Sequence, residues 1–141
     1  MTLPRMGLGC MPLSHAYGIP PAADDGVAML QEVIDRGVTF LDTATLYGAG
    51  SNEQIVGRAL AGGRRDRVVL ASKGGMAIVD GVKVIDGRPE TLRAQVDASL
   101  GRLGVDHIDI YYLHRWDRRV PIGESAGALA ELVAAGKIGG V

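Results

Sequence analysis

Four short apolar runs, each leading into a segment with helical spacing, constrain this chain more than any other feature. They are residues 6–10, 38–44, 68–73 and 108–114. The last three do not alternate apolar with polar side chains, as a strand with one wet face would; they read as strands buried on both faces. Between them lie four helical patterns. The first opens at Asp24, read as its N-cap, with Val27, Leu30, Val33 and Ile34 on one face. In the second, Ser51 and Gln54 form a capping box ahead of Ile55, Val56, Ala59 and Leu60. A third starts at Pro89 and aligns Leu92, Val96, Leu100 and Leu103; a fourth follows Pro121 over about 123–135. Gly37, Gly62-Gly63, Gly104 and Gly136 stop them. Residues 74–87 read as a long loop and 137–141 as the approach to a fifth strand. Such alternation predicts an α/β fold of parallel β/α units, a sheet wrapped by helices, in one domain spanning 1–141 with about four units.

In parallel β/α folds, functional groups collect at the carboxyl ends of the strands. Three runs here end in an ionisable side chain: Asp42 near the end of 38–44, Lys73 at the end of 68–73, His114 at the end of 108–114. Tyr47 follows Asp42 in a loop with Gly48 and Gly50. An unpaired buried carboxylate costs several kcal/mol, so Asp42 requires a cation, and Lys73 on the neighbouring strand supplies it. A phenol is a poor acid at neutral pH, but an adjacent ammonium favours its anion and makes Tyr47 a usable proton donor. His114 then holds a carbonyl oxygen beside it. The set suits protonation of an oxygen that becomes negative during hydride addition to a carbonyl. It holds no hydride, so a reduced cofactor is implied.

Taken singly, these residues have plainer readings: a structural ion pair, a loop-anchoring tyrosine, a core histidine. Convergence on one rim favours the chemical one. His107 and His15 read as surface or loop residues, with His15 and Tyr17 as candidates to line a pocket. Cys10 reads as a small buried hydrophobe. Trp116 suits either a pocket wall or an interface, and Asp86, Arg88 and Arg118-Arg119 read as solvated charges. The three histidines are too scattered for a metal site.

Composition narrows the function classes. Fifteen basic and sixteen acidic side chains give a formal net charge of -1, with no basic stripe for nucleic acid. Hydrophobic residues make up 47%, enough for a core, yet no apolar run approaches the roughly 20 residues that span a bilayer. The single cysteine excludes an internal disulfide, and the first six residues carry no apolar leader core. The expectation is a cytoplasmic protein with no membrane partner.

Several spaced stretches resemble the aldo-keto reductase family. Phe40-Leu41-Asp42-Thr43-Ala44 with Tyr47-Gly48 is similar to the family's Asp-and-Tyr motif, and Ser51-Asn52-Glu53-Gln54-Ile55-Val56-Gly57 to its next helix. Ala71-Ser72-Lys73 resembles the lysine strand. Gly104-Val105-Asp106-His107-Ile108-Asp109, leading to Tyr112-Leu113-His114-Arg115, is similar to the histidine strand. Glu131-Leu132-Val133-Ala134-Ala135-Gly136-Lys137 resembles the helix that follows. The resemblance implies the first half of a TIM (β/α)8 barrel that reduces aldehydes or ketones with NADPH. Tyr47 would be the proton donor, Lys73 and Asp42 would tune it, and His114 would position the carbonyl. Gly9, Cys10 and Met11, with Asp42, would lie near the nicotinamide end.

Eight units need roughly 250 residues. In the family most adenosine and phosphate contacts come from the second half, so weak NADPH binding is expected of this half-barrel. Two open sheet edges and an apolar concave face imply self-association. Two other readings stand: a non-catalytic regulatory or binding member of the same fold, and an aldolase using Lys73 as a Schiff-base nucleophile.

Overall fold

Strand and helix alternate as the apolar runs predict, with one addition. The computed structural model describes residues 3–141; Met1 and Thr2, which open the stretch read for a leader, lie outside it. In chain order come β1 (Leu8–Gly9), α1 (Ala23–Asp35), β2 (Phe40–Asp42), α2 (Ser51–Ala59), β3 (Val69–Gly74), β4 (Met76–Val79), β5 (Val82–Ile85), α3 (Pro89–Leu103), β6 (Ile110–Leu113) and α4 (Ile122–Ala134). Strands β1, β2, β3 and β6 form one parallel sheet in that order. Beyond β6, Ile108 and Ile138 form a parallel bridge, and the Tyr111 amide donates to the Gly140 carbonyl at 2.9 Å. The predicted lead into a fifth strand therefore lies beside β6.

The core lies between the sheet and its helices. Leu41, Leu70 and Tyr111 are completely buried, packed in one cluster with Leu30, Val56, Leu92, Val96 and Leu103. Each such aliphatic side chain contributes about 1.5–3 kcal/mol relative to exposure. Helices α2 and α3 cross closely because position 57 has no side chain. A Cβ there would sit 2.5 Å from the Leu103 carbonyl oxygen.

Register settles what the other face carries. Asp42 pairs with Ala71, Ala71 with Ile110, and Lys73 with Tyr112. Side chains two apart share a face. Asp42, Lys73 and Tyr112 thus point away from the helices.

The stretch 74–87 is not a featureless loop: β4 and β5 form an antiparallel hairpin closed by Asp80 (φ 50°) and Gly81 (φ 78°). Asp-Gly between apolar runs is the hairpin signal that the sequence carried. Two caps differ as well. Ala22 occupies the cap of α1, while Asp24 lies in its first turn and pairs with Arg58 of α2 at 2.6 Å. Gly50, at φ 94°, caps α2, so Ser51 is already helical and its hydroxyl makes no cap bond. Among the described residues no helix is long and apolar enough to cross a membrane.

Candidate active site

Lys73, at the end of β3, is the hub. Its ammonium donates to the Asp42 carboxylate, to the Thr43 carbonyl at 3.0 Å and to the Tyr47 hydroxyl at 3.1 Å. All three N–H donors are engaged, and side-chain exposure is only 15%. The loop that presents Tyr47 runs with positive φ through Gly48 (56°), Ala49 (52°) and Gly50 (94°). Left-handed backbone at an alanine costs of order 1 kcal/mol, and such outliers cluster at functional sites. The turn brings the chain straight from β2 into α2 with the phenol facing Lys73. Ser14 packs against it, 2.9 Å from where a Gly48 Cβ would sit.

Two imidazoles flank the phenol. The His114 ring meets the Tyr47 ring edge-on at 5.8 Å between centroids, and the His15 ring lies nearly parallel to it at 6.1 Å. Nδ1 of His114 is buried without a hydrogen-bond partner. Burial, then the nearby Lys73 and Arg115 cations, hold the imidazole below its ordinary 6.5, with Asp42 opposing. His114 is therefore neutral at physiological pH. A buried orphan nitrogen is tolerated better as an acceptor lone pair than as a stranded N–H, which assigns the proton to Nε2.

The residues proposed near a cofactor differ among themselves. Gly9 is exposed and paired in register with Asp42, and a Cβ on it would meet nothing within 4 Å. Met11 is half-buried against Ala44, Leu46 and Tyr47. Cys10 is buried, and burial, then the Asp42 carboxylate, push its thiol up to about 12. Its amide donates to the Asp42 carbonyl at 2.8 Å and its carbonyl accepts from Asn52 at 2.9 Å. Cys10 has no free polar backbone group for a ligand.

Sequence reasoning missed the polar residues behind this rim. Asn52 is fully buried and ties three segments together: Cys10, Ser14 (2.8 Å) and the Thr43 hydroxyl (2.7 Å). Glu53 is fully buried too, accepting from Ser72 at 2.5 Å and from Arg102 at 2.7 Å. Helical spacing held the signal, since Asn52 shares the face of Ile55, Val56 and Ala59. Arg119, read as solvated, binds the buried Asp117 carboxylate at 2.9 Å and the Ile85 carbonyl at 2.7 Å. Asp86 likewise holds Arg88 and the Thr91 hydroxyl (2.9 Å), fixing the entry to α3. A cavity of about 950 Å³ opens at the opposite end of the strands between α2 and α3, lined by Gly57, Arg65, Leu103 and His107. It lies away from the Lys73 cluster. Among the described residues no group of three metal-ligating side chains occurs.

Comparisons with known proteins bear on this arrangement. A sequence profile described as "Aldo/keto reductase family" matches residues 5–141. A "Probable aldo-keto reductase 1" of Glycine max is 42% identical over 135 residues, covering 95% of this chain and 39% of that protein. The structure of a Bacillus halodurans aldo-keto reductase in holo form superposes with TM-score 0.83 at 37% identity, over 94% of this chain and 43% of that one. An aldo/keto reductase from Klebsiella pneumoniae, in complex with NADP and acetate, gives 0.75 at 35% identity, over 96% and 44%. This chain spans less than half the length of each relative, and its parallel β/α units match their fold over that part.

Proposed function

This chain belongs to the aldo/keto reductase family, and from that premise we propose that it supplies the proton-delivering rim of an NADPH-dependent oxidoreductase that converts an aldehyde or ketone into an alcohol. The observation that carries the reading is the bridge made by the Lys73 ammonium between the Asp42 carboxylate and the Tyr47 hydroxyl. Because Lys73 donates to the phenol oxygen, the phenol's own O–H points elsewhere and is free to reach a substrate oxygen.

In the proposed reaction Nε2–H of His114 and the Tyr47 O–H both donate to the carbonyl oxygen, polarising the C=O bond and fixing its orientation. NADPH, when bound, supplies the hydride for the carbonyl carbon. As negative charge develops on the oxygen, Tyr47 releases its proton there. The phenolate left behind faces the Lys73 ammonium, a preorganised counter-charge that needs no solvent rearrangement. Asp42 holds that ammonium in place.

The residues present fit the reactive end of the cofactor. Gly9 leaves open space beside Asp42, Met11 offers an apolar surface next to Tyr47, and Cys10 fixes the segment between them. The Klebsiella relative is described with NADP bound. By the family's pattern the phosphate grip comes from the other half of the barrel, so this chain unaided binds NADPH weakly; micromolar affinity in a fluorescence titration would contradict that. The open edges at β1 and residues 138–141 favour self-association of the isolated chain, which sedimentation reads directly.

Schiff-base chemistry is disfavoured because a lysine with three engaged N–H donors presents no lone pair. The deciding experiment is NADPH-dependent reduction of a neutral aldehyde by the native sequence and by Tyr47→Phe, with NADPH in millimolar excess to offset its weak binding. Turnover that falls about 10²–10⁴-fold in the variant supports the reading. Equal rates overturn it, and no turnover by either form returns the non-catalytic alternative.

A further inference from the structure

Cations in this molecule are nearly all spoken for. Among the described residues every lysine and arginine takes part in an ion pair except Arg5, Lys83, Arg115 and Arg118. Two of those four lie within one connection, between β6 and α4, on either side of Trp116. That connection leaves the strand end that carries His114, whose pKa is depressed in part by the Arg115 charge. An exposed arginine is ordinarily just solvated surface, so position and surroundings must decide.

The connection is rigid where a solvated loop would not be. The buried Asp117 carboxylate accepts from the Gly87 amide (3.3 Å), the Arg119 amide (3.1 Å) and the Arg119 guanidinium (2.9 Å). The Trp116 indole N–H donates to the Val120 carbonyl at 3.3 Å, and the Arg118 guanidinium lies 5.8 Å from the indole centroid. Trp116 is nonetheless 54% exposed, and Tyr112, in register with Lys73, is 38% exposed. Asp117, the sole acid in this connection, is consumed by Arg119 and compensates neither Arg115 nor Arg118. A fixed aromatic wall with two uncompensated guanidiniums, next to the strand end that carries His114, is a recognition surface for an oxyanion on a short carbon chain.

We propose that the connection from His114 to Val120 selects carbonyl substrates that carry an anionic group, a carboxylate or a phosphate, with Arg115 as the principal anion-binding residue, Arg118 in support and Trp116 as the wall. The inference rests on the reductase reading and specifies its substrate class. The carbonyl end of such a compound meets Tyr47 and His114 while its charged end lies against the guanidiniums. Binding then weakens as salt rises, because the cations are solvent-facing.

Trp116 is the only tryptophan in the sequence, so intrinsic fluorescence reports on this wall alone. The native protein is titrated with succinic semialdehyde, with butanal as the neutral analogue, and with inorganic phosphate and adenosine 2′,5′-bisphosphate. Succinic semialdehyde is expected to give a saturable change that weakens about tenfold in Arg115→Gln and less in Arg118→Gln. Lys83→Gln, at the hairpin, should leave it unaltered. In turnover the anionic aldehyde should be preferred at least tenfold in kcat/KM, and Arg115→Gln should lose that preference through KM. Equal responses to butanal and succinic semialdehyde overturn the proposal. So does tighter binding of the bisphosphate, which would assign the cations to a cofactor phosphate. Tyr47→Phe separates the two readings, since it should keep the fluorescence response and lose turnover. A saturable response with neither aldehyde reduced by the native protein overturns the reductase reading and leaves the anion site standing.

Discussion

Ser72 and Lys73, neighbours on β3, face opposite sides of the sheet, each bonds to an ion pair, and the two pairs are built to different ends. Behind the sheet, Ser72 leads to Glu53 and Arg102: the carboxylate is completely buried and both of its oxygens are bound, one by Ser72 and one by Arg102. Ser99 and Thr45 close the network around the guanidinium at 3.3 and 3.4 Å. In front, Lys73 and Asp42 are partly open, at 15% and 30% side-chain exposure, and the Tyr47 hydroxyl, which accepts from Lys73, keeps its own O–H unused. A carboxylate shut in this way can only hold the fold. A cluster with an O–H left over, at the mouth of the strands, has something to give a ligand. The same strand separates the two jobs by the simple alternation of its side chains.

Substitutions should split the two faces cleanly, and the largest effect belongs to the front. Tyr47→Phe should lower NADPH-dependent turnover by about 10²–10⁴-fold while the denaturation midpoint moves little, because the hydroxyl it removes serves chemistry and not packing. A variant that lost stability and activity together would erase the distinction. The back pair should behave in the opposite way. Glu53→Leu leaves Arg102 uncompensated and should cost about 3 kcal/mol in urea unfolding, near the lower end for a broken buried pair because Arg102 reaches partly into solvent. If unfolding of Glu53→Leu matched the native protein, the closed network would have no structural role.

How far the sequence announced these two faces follows from their physics. The front was legible because it breaks a pattern: Asp42, Lys73 and His114 are ionisable groups at the ends of otherwise apolar runs, so each is conspicuous. Phe40, Leu41, Leu70 and Ile110 fixed the strands through their hydrophobicity alone. The back was not legible in the same way. Asn52 and Glu53 sit in the first turn of α2, where polar residues are ordinary, and only the burial of the helix turns them inward. Arg119 looked solvated because one of its partners, the Ile85 carbonyl, comes from another part of the chain. The β4–β5 hairpin was missed although Asp80-Gly81 signalled it, since glycine-rich loops obscure short strands. Cap assignments failed at Asp24 and Ser51 because side chains with a distant partner, or one residue too far along, cannot cap.

A third substitution sharpens how the back network is assembled. Glu53 reaches Arg102 only because α2 lies against the end of α3 at Gly57, where an added methyl would press on the Leu103 carbonyl carbon at 2.7 Å and its oxygen at 2.5 Å. Backbone cannot swing aside as a flexible side chain does, so Gly57→Ala should push the helices apart and cost about 1–3 kcal/mol in thermal or urea unfolding. The Tyr47–Lys73 contact on the other face should survive, and any remaining turnover should fall far less than in Tyr47→Phe. A Gly57→Ala protein as stable as the native one would mean that the helix crossing relaxes freely.

The smallest effect is a pH dependence, and it tests whether the front face is as cationic as its arginines imply. Burial lowers the His114 pKa first, with Lys73 and Arg115 adding to it and Asp42 pulling the other way. Its folded value thus lies below the 6.5 of an unfolded chain. Below 6.5 the unfolded chain binds a proton that the folded protein refuses, so the group's contribution to stability is complete above that pH and is lost as pH falls toward the folded value. Native protein should therefore lose stability on this acid side relative to His114→Gln, and the loss should be modest because the ring is half-buried. Arg115→Gln should move the His114 titration, followed by NMR of the imidazole, up toward 6.5. A titration at or above 6.5 in the native protein would mean that Asp42 outweighs the two cations. The mouth would then repel the oxyanions that Arg115 is placed to receive.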